Sequence, residues 1–230
     1  MAITLAFDVY GTLIDTDGVV DELKLLVGEQ AEAFSHTWRN KQLEYSFRRG
    51  LMQKYQKFSV CTADALDFTC SYYNIDLTKN QKQSLLGSYS VLPAFMDVKD
   101  SLASLQTAGF RLFAFSNGAA EAVDNLLISA GIREYFLGIV SADELKTFKP
   151  NPAIYHHFLR QSGATAEEAW LISGNSFDVI GAISAGMQAA WLRRSSTVIF
   201  DPWEIQPTIS INSLSALGDE ISTHLNVSAS

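Results

Sequence analysis

The sequence predicts an α/β fold, a doubly wound and mainly parallel sheet with an all-helical cap inserted after the first strand. Short apolar runs recur along the chain and each gives way to polar turn residues, the pattern of strands buried on both faces. Residues 16–92 break that alternation: they carry long helix-compatible stretches and no convincing strand run.

Taken in order, residues 3–7 (ITLAF) form the first run, and Asp8 with the turn-forming Gly11 ends it, so the strand delivers Asp8 into a loop. Helical stretches at 32–49 and 62–73 follow inside the insertion, and Pro93 marks the return to alternation. Leu102, Leu105 and Ala108 recur at helical spacing before Gly109, as do Val123, Leu126, Leu127 and Ala130 before Gly131. Residues 111–115 (RLFAF) read as a strand ending in Ser116-Asn117-Gly118, and 169–172 (AWLI) as one ending in Ser173-Gly174-Asn175. Apolar runs at 137–140 and 189–192 complete the series. The expected division is a core of residues 1–15 and 93–230 with a cap of 16–92, and a soft end at 227–230.

Composition narrows the partner. With 230 residues, 47% apolar and 18% charged, the chain suits one compact domain or a core carrying an insertion, and disorder or coiled coil is excluded. Seventeen Lys and Arg against 25 Asp and Glu leave a net charge of -8, so no general attraction to nucleic acid or anionic membrane is expected, and the partner is a small molecule. The first apolar run is broken by Asp8 and has no basic residues before it, so it reads neither as a signal peptide nor as a membrane span. Cys61 and Cys70 lack metal-ligand spacing and read as buried thiols of a soluble, cytoplasmic protein.

In open parallel sheets ligands bind beyond the carboxyl ends of the strands. Three such ends present polar residues here: Asp8, Ser116 with Asn117, and Ser173 with Asn175. A carboxylate at Asp8 can serve as nucleophile, base or metal ligand. A nearby lysine would keep it charged, and Lys149 is the candidate, although by itself it reads better as a solvated surface residue. Arg39, among Lys41, Glu44, Arg48 and Arg49, reads by itself as one more charge on a solvated helix face. The adjacent His156 and His157 point to different faces of a helix and cannot share an ion, and glycines 174, 181 and 186 do not make a dinucleotide fingerprint.

FDVYGTL at 7–13, SNG at 116–118, Lys149-Pro150 and GNSFD at 174–178 resemble, in order, the four motifs of the haloacid dehalogenase superfamily, with its Rossmann-like core. Within it, HTWRNKQLEYSF at 36–47 resembles the WRxKQLEY signature of the L-2-haloacid dehalogenases. The resemblance implies hydrolysis of short (S)-2-haloalkanoic acids to (R)-2-hydroxy acids through an aspartyl ester, without cofactor or metal, by a homodimer. It implies Asp8 as nucleophile, Lys149 as the cation that keeps it ionised, Thr12, Ser173 and Asn175 as hydrogen-bonding groups around it, and Asp178 as the group that positions Lys149 or the hydrolytic water. Arg39 and Asn117, with the Phe177 edge, match the halide cradle; Ser116 and the N–H groups after Asp8 match the carboxylate site. Tyr10, Leu43, Phe58 and Phe177 would wall the pocket, and Tyr155, which matches a position that contacts the lysine and nucleophile, is counted with the substrate-binding residues. Asn40 and Phe177 stand where the family often has Gln and Trp, two differences expected to bear on substrate size. Tyr10 stands where the superfamily's phosphatases have an acid, and Asn175 where they commonly have a magnesium ligand. A phosphatase of this fold is the alternative enzyme, and a carboxylate-binding protein without catalysis the alternative outside enzymes.

Overall fold

The computed structural model describes residues 3–228. Six parallel strands form one sheet: β1 (Thr4–Phe7), β2 (Arg111–Ser116), β3 (Gly138–Ser141), β4 (Ala169–Ser173), β5 (Gln188–Leu192) and β6 (Ile209–Ile211). Their order is β3-β2-β1-β4-β5-β6, which puts β1 in the middle, paired with β2 through Phe7 opposite Ala114 and with β4 through Phe7 opposite Ile172. The order reverses at β1, so its carboxyl end is the switch point where a crevice opens.

The strands read as unbroken apolar runs because both faces are covered. Leu5, Phe7, Leu112, Ala114, Trp170 and Ile172 pack into one cluster, and the intervening Ala6, Phe113, Phe115 and Leu171 into another on the opposite face. Helices α5 (Val98–Thr107), α6 (Ala120–Ser129) and α9 (Leu217–Ser228) supply Leu102, Leu105, Val123, Leu126 and Ile221 to the first face. Helices α7 (Pro152–Ser162) and α8 (Ser176–Ser184) supply Ile154, Phe158 and Val179 to the second. Strand β6 has no counterpart in the expected series: at three residues beside β5 it is too short to show a period. The expected soft end lies partly in α9, which runs to Ser228, and residues 229–230 lie outside the described residues.

Between β1 and α5 the chain forms the helical cap: α1 (Val20–Val27), α2 (Ala31–Leu51), α3 (Phe58–Tyr73) and α4 (Lys79–Ser88). Helix α3 begins four residues before the expected Thr62, at Phe58, whose ring is buried against Tyr10, Tyr45 and Phe148. Trp38 is fully buried and its indole N–H donates to the Thr62 carbonyl at 2.8 Å, which locks α2 to α3. The two chain crossings into the cap bond to each other, Asp15 N–H to the Pro93 carbonyl at 2.9 Å and Phe95 N–H to the Leu13 carbonyl at 3.0 Å. Farther out, the Tyr55 hydroxyl of the cap donates to the Asp143 carboxylate of the core. Both cysteines are buried and unpaired, and no helix among the described residues is long and apolar enough to cross a membrane.

Loops after β1 and β4 approach so closely that one glycine is obligatory. A Cβ on Gly174 would lie 2.5 Å from the Gly11 carbonyl oxygen, a backbone atom that cannot swing aside. Gly174→Ala should therefore cost about 1–3 kcal/mol in urea unfolding, the usual cost of overpacking. Gly87→Ala, an exposed helical site with nothing within 4 Å of the added carbon, should be neutral or stabilising under the same conditions.

Candidate active site

Asp8 follows the last residue of β1 and its N–H still bonds to Ile172 of β4 at 3.0 Å, so the carboxylate is held by the sheet. It is 7% exposed. One oxygen, Oδ2, accepts from Thr12 Oγ1 at 2.8 Å, Asn175 Nδ2 at 2.7 Å and Ser173 Oγ at 3.3 Å. The other, Oδ1, accepts from Lys149 Nζ at 2.9 Å. Thr12 Oγ1 also accepts the Gly174 N–H at 2.9 Å, which laces the two loops together around the carboxylate.

Lys149 is 1% exposed, so the reading of it as a solvated surface lysine fails. Its backbone N–H donates to Asn117 Oδ1 at 2.8 Å, and Nζ places its three protons on Asp8 Oδ1, on the Phe115 carbonyl at 3.1 Å and on Asp178 Oδ2 at 2.5 Å. Helix α8 holds Asp178 in its first turn, fully buried, and Tyr155 of α7 donates its hydroxyl to Asp178 Oδ1 at 2.7 Å.

Electrostatics differ between the two carboxylates. Burial alone would raise the Asp8 carboxyl, but Lys149, Thr12 and the nearby Arg39 more than offset it and hold the group below its ordinary value. Asp178 is carried up to about 6 by burial, with the Asp8 charge adding to it, although Lys149 and Tyr155 pull the other way. Lys149 loses from burial but gains more from its two carboxylates, so its ammonium is held above the usual lysine range.

The cap contributes Arg39. Its Nη2 donates to the Tyr10 carbonyl at 3.3 Å and its Nη1 to Gln42 Oε1 at 2.6 Å, so it faces the loop after β1 and not solvent. Asn175 Nδ2 donates to that same Tyr10 carbonyl at 3.1 Å as well as to Asp8. The N–H groups of Val9 and Tyr10 meet no acceptor among the described residues, which suits them to an incoming carboxylate. Ser116 is 1% exposed and its Oγ accepts the Gly118 N–H at 3.1 Å, leaving its proton to donate. Asn117 uses its amide oxygen on Lys149, so the nitrogen is its donor end.

Of the expected pocket wall, Tyr10 and Phe58 border a cavity of about 350 Å³ at the seam of cap and core, together with Gln42, Leu86, Tyr89 and Ala119. Leu43, one turn beyond Arg39 on α2, and Phe177, which meets Phe47 edge-on at 5.0 Å, do not border it. A larger groove of about 510 Å³ between α5 and α9 holds none of the charged cluster. Two further expectations need correction. Tyr155 is fully buried and spends its hydroxyl on Asp178, so it stands behind the site and does not contact a substrate. Asn40 is exposed and bonds His36 at 3.3 Å, so its difference from the family pattern does not touch the pocket. The two histidines do diverge: His157 is buried against Glu144 at 3.0 Å while His156 is exposed.

Sequence reasoning passed over Gln42 and Arg194. Gln42 had a signal, the spacing of three from Arg39 that puts both on one helix face. Arg194 had none; its guanidinium reaches back to the Thr12 carbonyl, with Nε at 3.1 Å, and to Asp97 at 2.6 Å.

Comparison with known proteins agrees with this fold. A family model for haloacid dehalogenase-like hydrolases matches residues 5–192. An (S)-2-haloacid dehalogenase of Pseudomonas sp. (strain YL) is 33% identical over 93% of this chain and 91% of its own. The haloacetate dehalogenase H-2 of Moraxella sp. (strain B) is 35% identical over 83% and 85%. Among solved structures, the L-2-haloacid dehalogenase of Xanthobacter autotrophicus with chloropropionic acid covalently bound superposes with a TM-score of 0.90 at 27% identity, covering 96% of this chain and 99% of that one.

The raised Asp178 carboxyl makes stability fall with rising pH. In the unfolded chain it loses its proton near 3.8 and in the folded chain near 6, so between those values only the folded state holds the proton. Its contribution is full below 3.8 and is lost as pH rises through about 6. Urea unfolding of the protein from pH 4 to 7 should show a decline of about 1–3 kcal/mol that is absent in Asp178→Asn. An equal slope in the variant would place the titration elsewhere.

Proposed function

The chain belongs to the haloacid dehalogenase-like hydrolase family, and from that premise we propose that it hydrolyses short 2-haloalkanoic acids, taking the (S) enantiomer to the (R)-2-hydroxy acid. The observation that carries this reading is the Asp8 carboxylate, held below its ordinary pKa by Lys149 and faced by Arg39 from the cap.

An oxygen of Asp8 forms a bond to the carbon bearing the halogen while the carbon–halogen bond breaks on the opposite side and its electron pair leaves with the halide. The product of this step is an ester on Asp8, with inverted configuration at that carbon. Negative charge grows on the halide, and a guanidinium already fixed in place stabilises that charge more than the neutral ground state. Arg39 fills that role with the Asn117 amide, while Ser116 and the Val9 and Tyr10 N–H groups receive the substrate carboxylate. Water then attacks the Asp8 carboxyl carbon, with Thr12, Ser173 and Asn175 bonded to the oxygen that takes up charge; the ester C–O bond breaks, and the hydroxy acid departs with an oxygen from Asp8 and one proton of the water, the other proton passing to solvent as Asp8 returns to its carboxylate. Asp178 keeps Lys149 aimed at Asp8 in both steps. Covalently bound chloropropionic acid in the Xanthobacter autotrophicus enzyme supports the ester.

The chemistry of the donors favours a metal-free reaction over a phosphatase. A hard cation beside Asp8 would draw on Asp8 Oδ2 and the Tyr10 carbonyl, and both oxygens already converge on the Asn175 amide nitrogen, at 2.7 and 3.1 Å. Tyr10 offers no carboxyl to protonate an ester oxygen, and burial pushes its hydroxyl up to about 12. In this proposal residues 1–15 with 93–230 carry the nucleophile, residues 16–92 bring Arg39 and part of the wall, and the protein works as a cytoplasmic homodimer.

A single turnover of (S)-2-chloropropionate in heavy-oxygen water should place the label in Asp8 and not in the first lactate formed. That lactate should be the (R) enantiomer, and Asp8→Ala should bring turnover to background. Label in the first product, or retained configuration, would replace the ester with direct attack by water. Dialysis against EDTA should leave halide release unchanged, with p-nitrophenyl phosphate untouched; magnesium-dependent phosphate release at a comparable rate would establish the phosphatase instead.

A further inference from the structure

Gln42 is 1% exposed, lies at the cap–core seam and carries no charge. We propose that Gln42 is the positioning residue for Arg39, gripping the guanidinium with a neutral acceptor that is itself anchored to α3 through Thr62. The inference rests on the dehalogenase reading above.

The polarity of the contact chain leaves one arrangement. Arg39 has donors only, so its Nη1 at 2.6 Å must meet the amide oxygen of Gln42. That choice turns the amide nitrogen toward Thr62, whose Oγ1 accepts it at 2.6 Å. The Thr62 proton then goes to the Phe58 carbonyl at 3.0 Å, an acceptor-only end. A chain that starts at a pure donor and ends at a pure acceptor can run in one direction only, so the orientation of the Gln42 amide is fixed. The anchor is firm: the backbone carbonyl of the same Thr62 takes the buried Trp38 indole N–H at 2.8 Å.

The guanidinium is thereby held at two points, the Gln42 amide and the Tyr10 carbonyl, and both are neutral. Its remaining N–H groups stay available to a departing halide, and its charge is not paired off. A Glu at this position would offer an acceptor of the same shape but would neutralise the cation whose field the leaving group needs. An aliphatic side chain would leave Arg39 loosely held, and long side chains lose several rotamers' worth of freedom when they must be ordered during the reaction.

The readout is the dependence on leaving group, which a merely structural residue would not move. Chloride leaves less readily than bromide and draws more on Arg39. Single-turnover halide release from (S)-2-chloropropionate and (S)-2-bromopropionate is measured for the unmodified protein and for Gln42→Met, Gln42→Glu and Thr62→Val, with thermal unfolding followed alongside. Gln42→Met and Gln42→Glu should slow chloride release about 10–100-fold, the usual effect of losing a group that orients a reacting one, and bromide release several-fold less, while KM stays within about threefold. Thr62→Val should shift the bromide-to-chloride ratio in the same direction by a smaller factor. An unchanged ratio in every variant that keeps a cooperative unfolding transition would overturn the assignment, as would a full chloride rate in Gln42→Glu. Failure of the unmodified protein to release halide would refute the dehalogenase reading, a result separable from an active protein whose variants behave like it.

Discussion

One ammonium group sits between two buried carboxylates, and the site is organised around it. At an effective dielectric of about 20, a contact near 3 Å is worth roughly 5–6 kcal/mol, while burying each ion costs several kcal/mol. Lys149 has two such contacts, to Asp8 at 2.9 Å and Asp178 at 2.5 Å, so the cluster stands only if all three members are present and hydrogen-bonded. Both conditions are met: the three Nζ protons have acceptors, and the outer Asp178 oxygen is taken by Tyr155. The pair also divides labour by environment. Asp8 has four donors and is held ionised, whereas fully buried Asp178 titrates near 6.

The sheet makes this cluster possible by bringing distant residues to one edge. Asp8, Phe115 and Ser173 lie at the carboxyl ends of three adjacent parallel strands, β1, β2 and β4, whose hydrogen bonds fix their relative height. The helices then add what the strands cannot reach: α8 brings Asp178 in its first turn, and the loop before α7 brings Lys149. The close approach of Gly174 to Gly11 brings Thr12 and Asn175 within reach of the same carboxylate oxygen. Arg39 comes from a separate layer, and its grip on the Tyr10 carbonyl joins the cap to the loop that carries the nucleophile.

Much of the fold was legible because its physics is local and repetitive. Residues 3–7, 111–115, 137–140, 169–172 and 189–192 each begin or lie within a strand or one residue of it, since a strand covered on both faces must be apolar throughout. The long helices of the cap were legible from length alone, but not their ends: α3 starts at Phe58 because that ring packs against Tyr10 and Phe148, a contact made by residues 48 and 90 positions away in sequence. Strand β6 was hidden, being three residues whose pairing partner decides their conformation.

For the site, residue types at strand ends and the quoted motifs were enough to name Asp8, Thr12, Lys149, Ser173, Asn175 and Asp178, the last five of which each hydrogen-bond to Asp8 or to Lys149. They could not tell which partners each would take. Burial of Lys149, the retreat of Tyr155 to a place behind Asp178, the outward turn of Asn40 and the bond from Arg39 to Gln42 are set by the packing of α2, α7 and α8 around the sheet. Sequence determines which side chains can be charged, donate or accept, because that is a property of each residue. Which of those groups lose water, and therefore how strongly they act on one another, depends on neighbours as far apart as Asp8 and Asn175, 167 positions along the chain, and only the tertiary structure decides it.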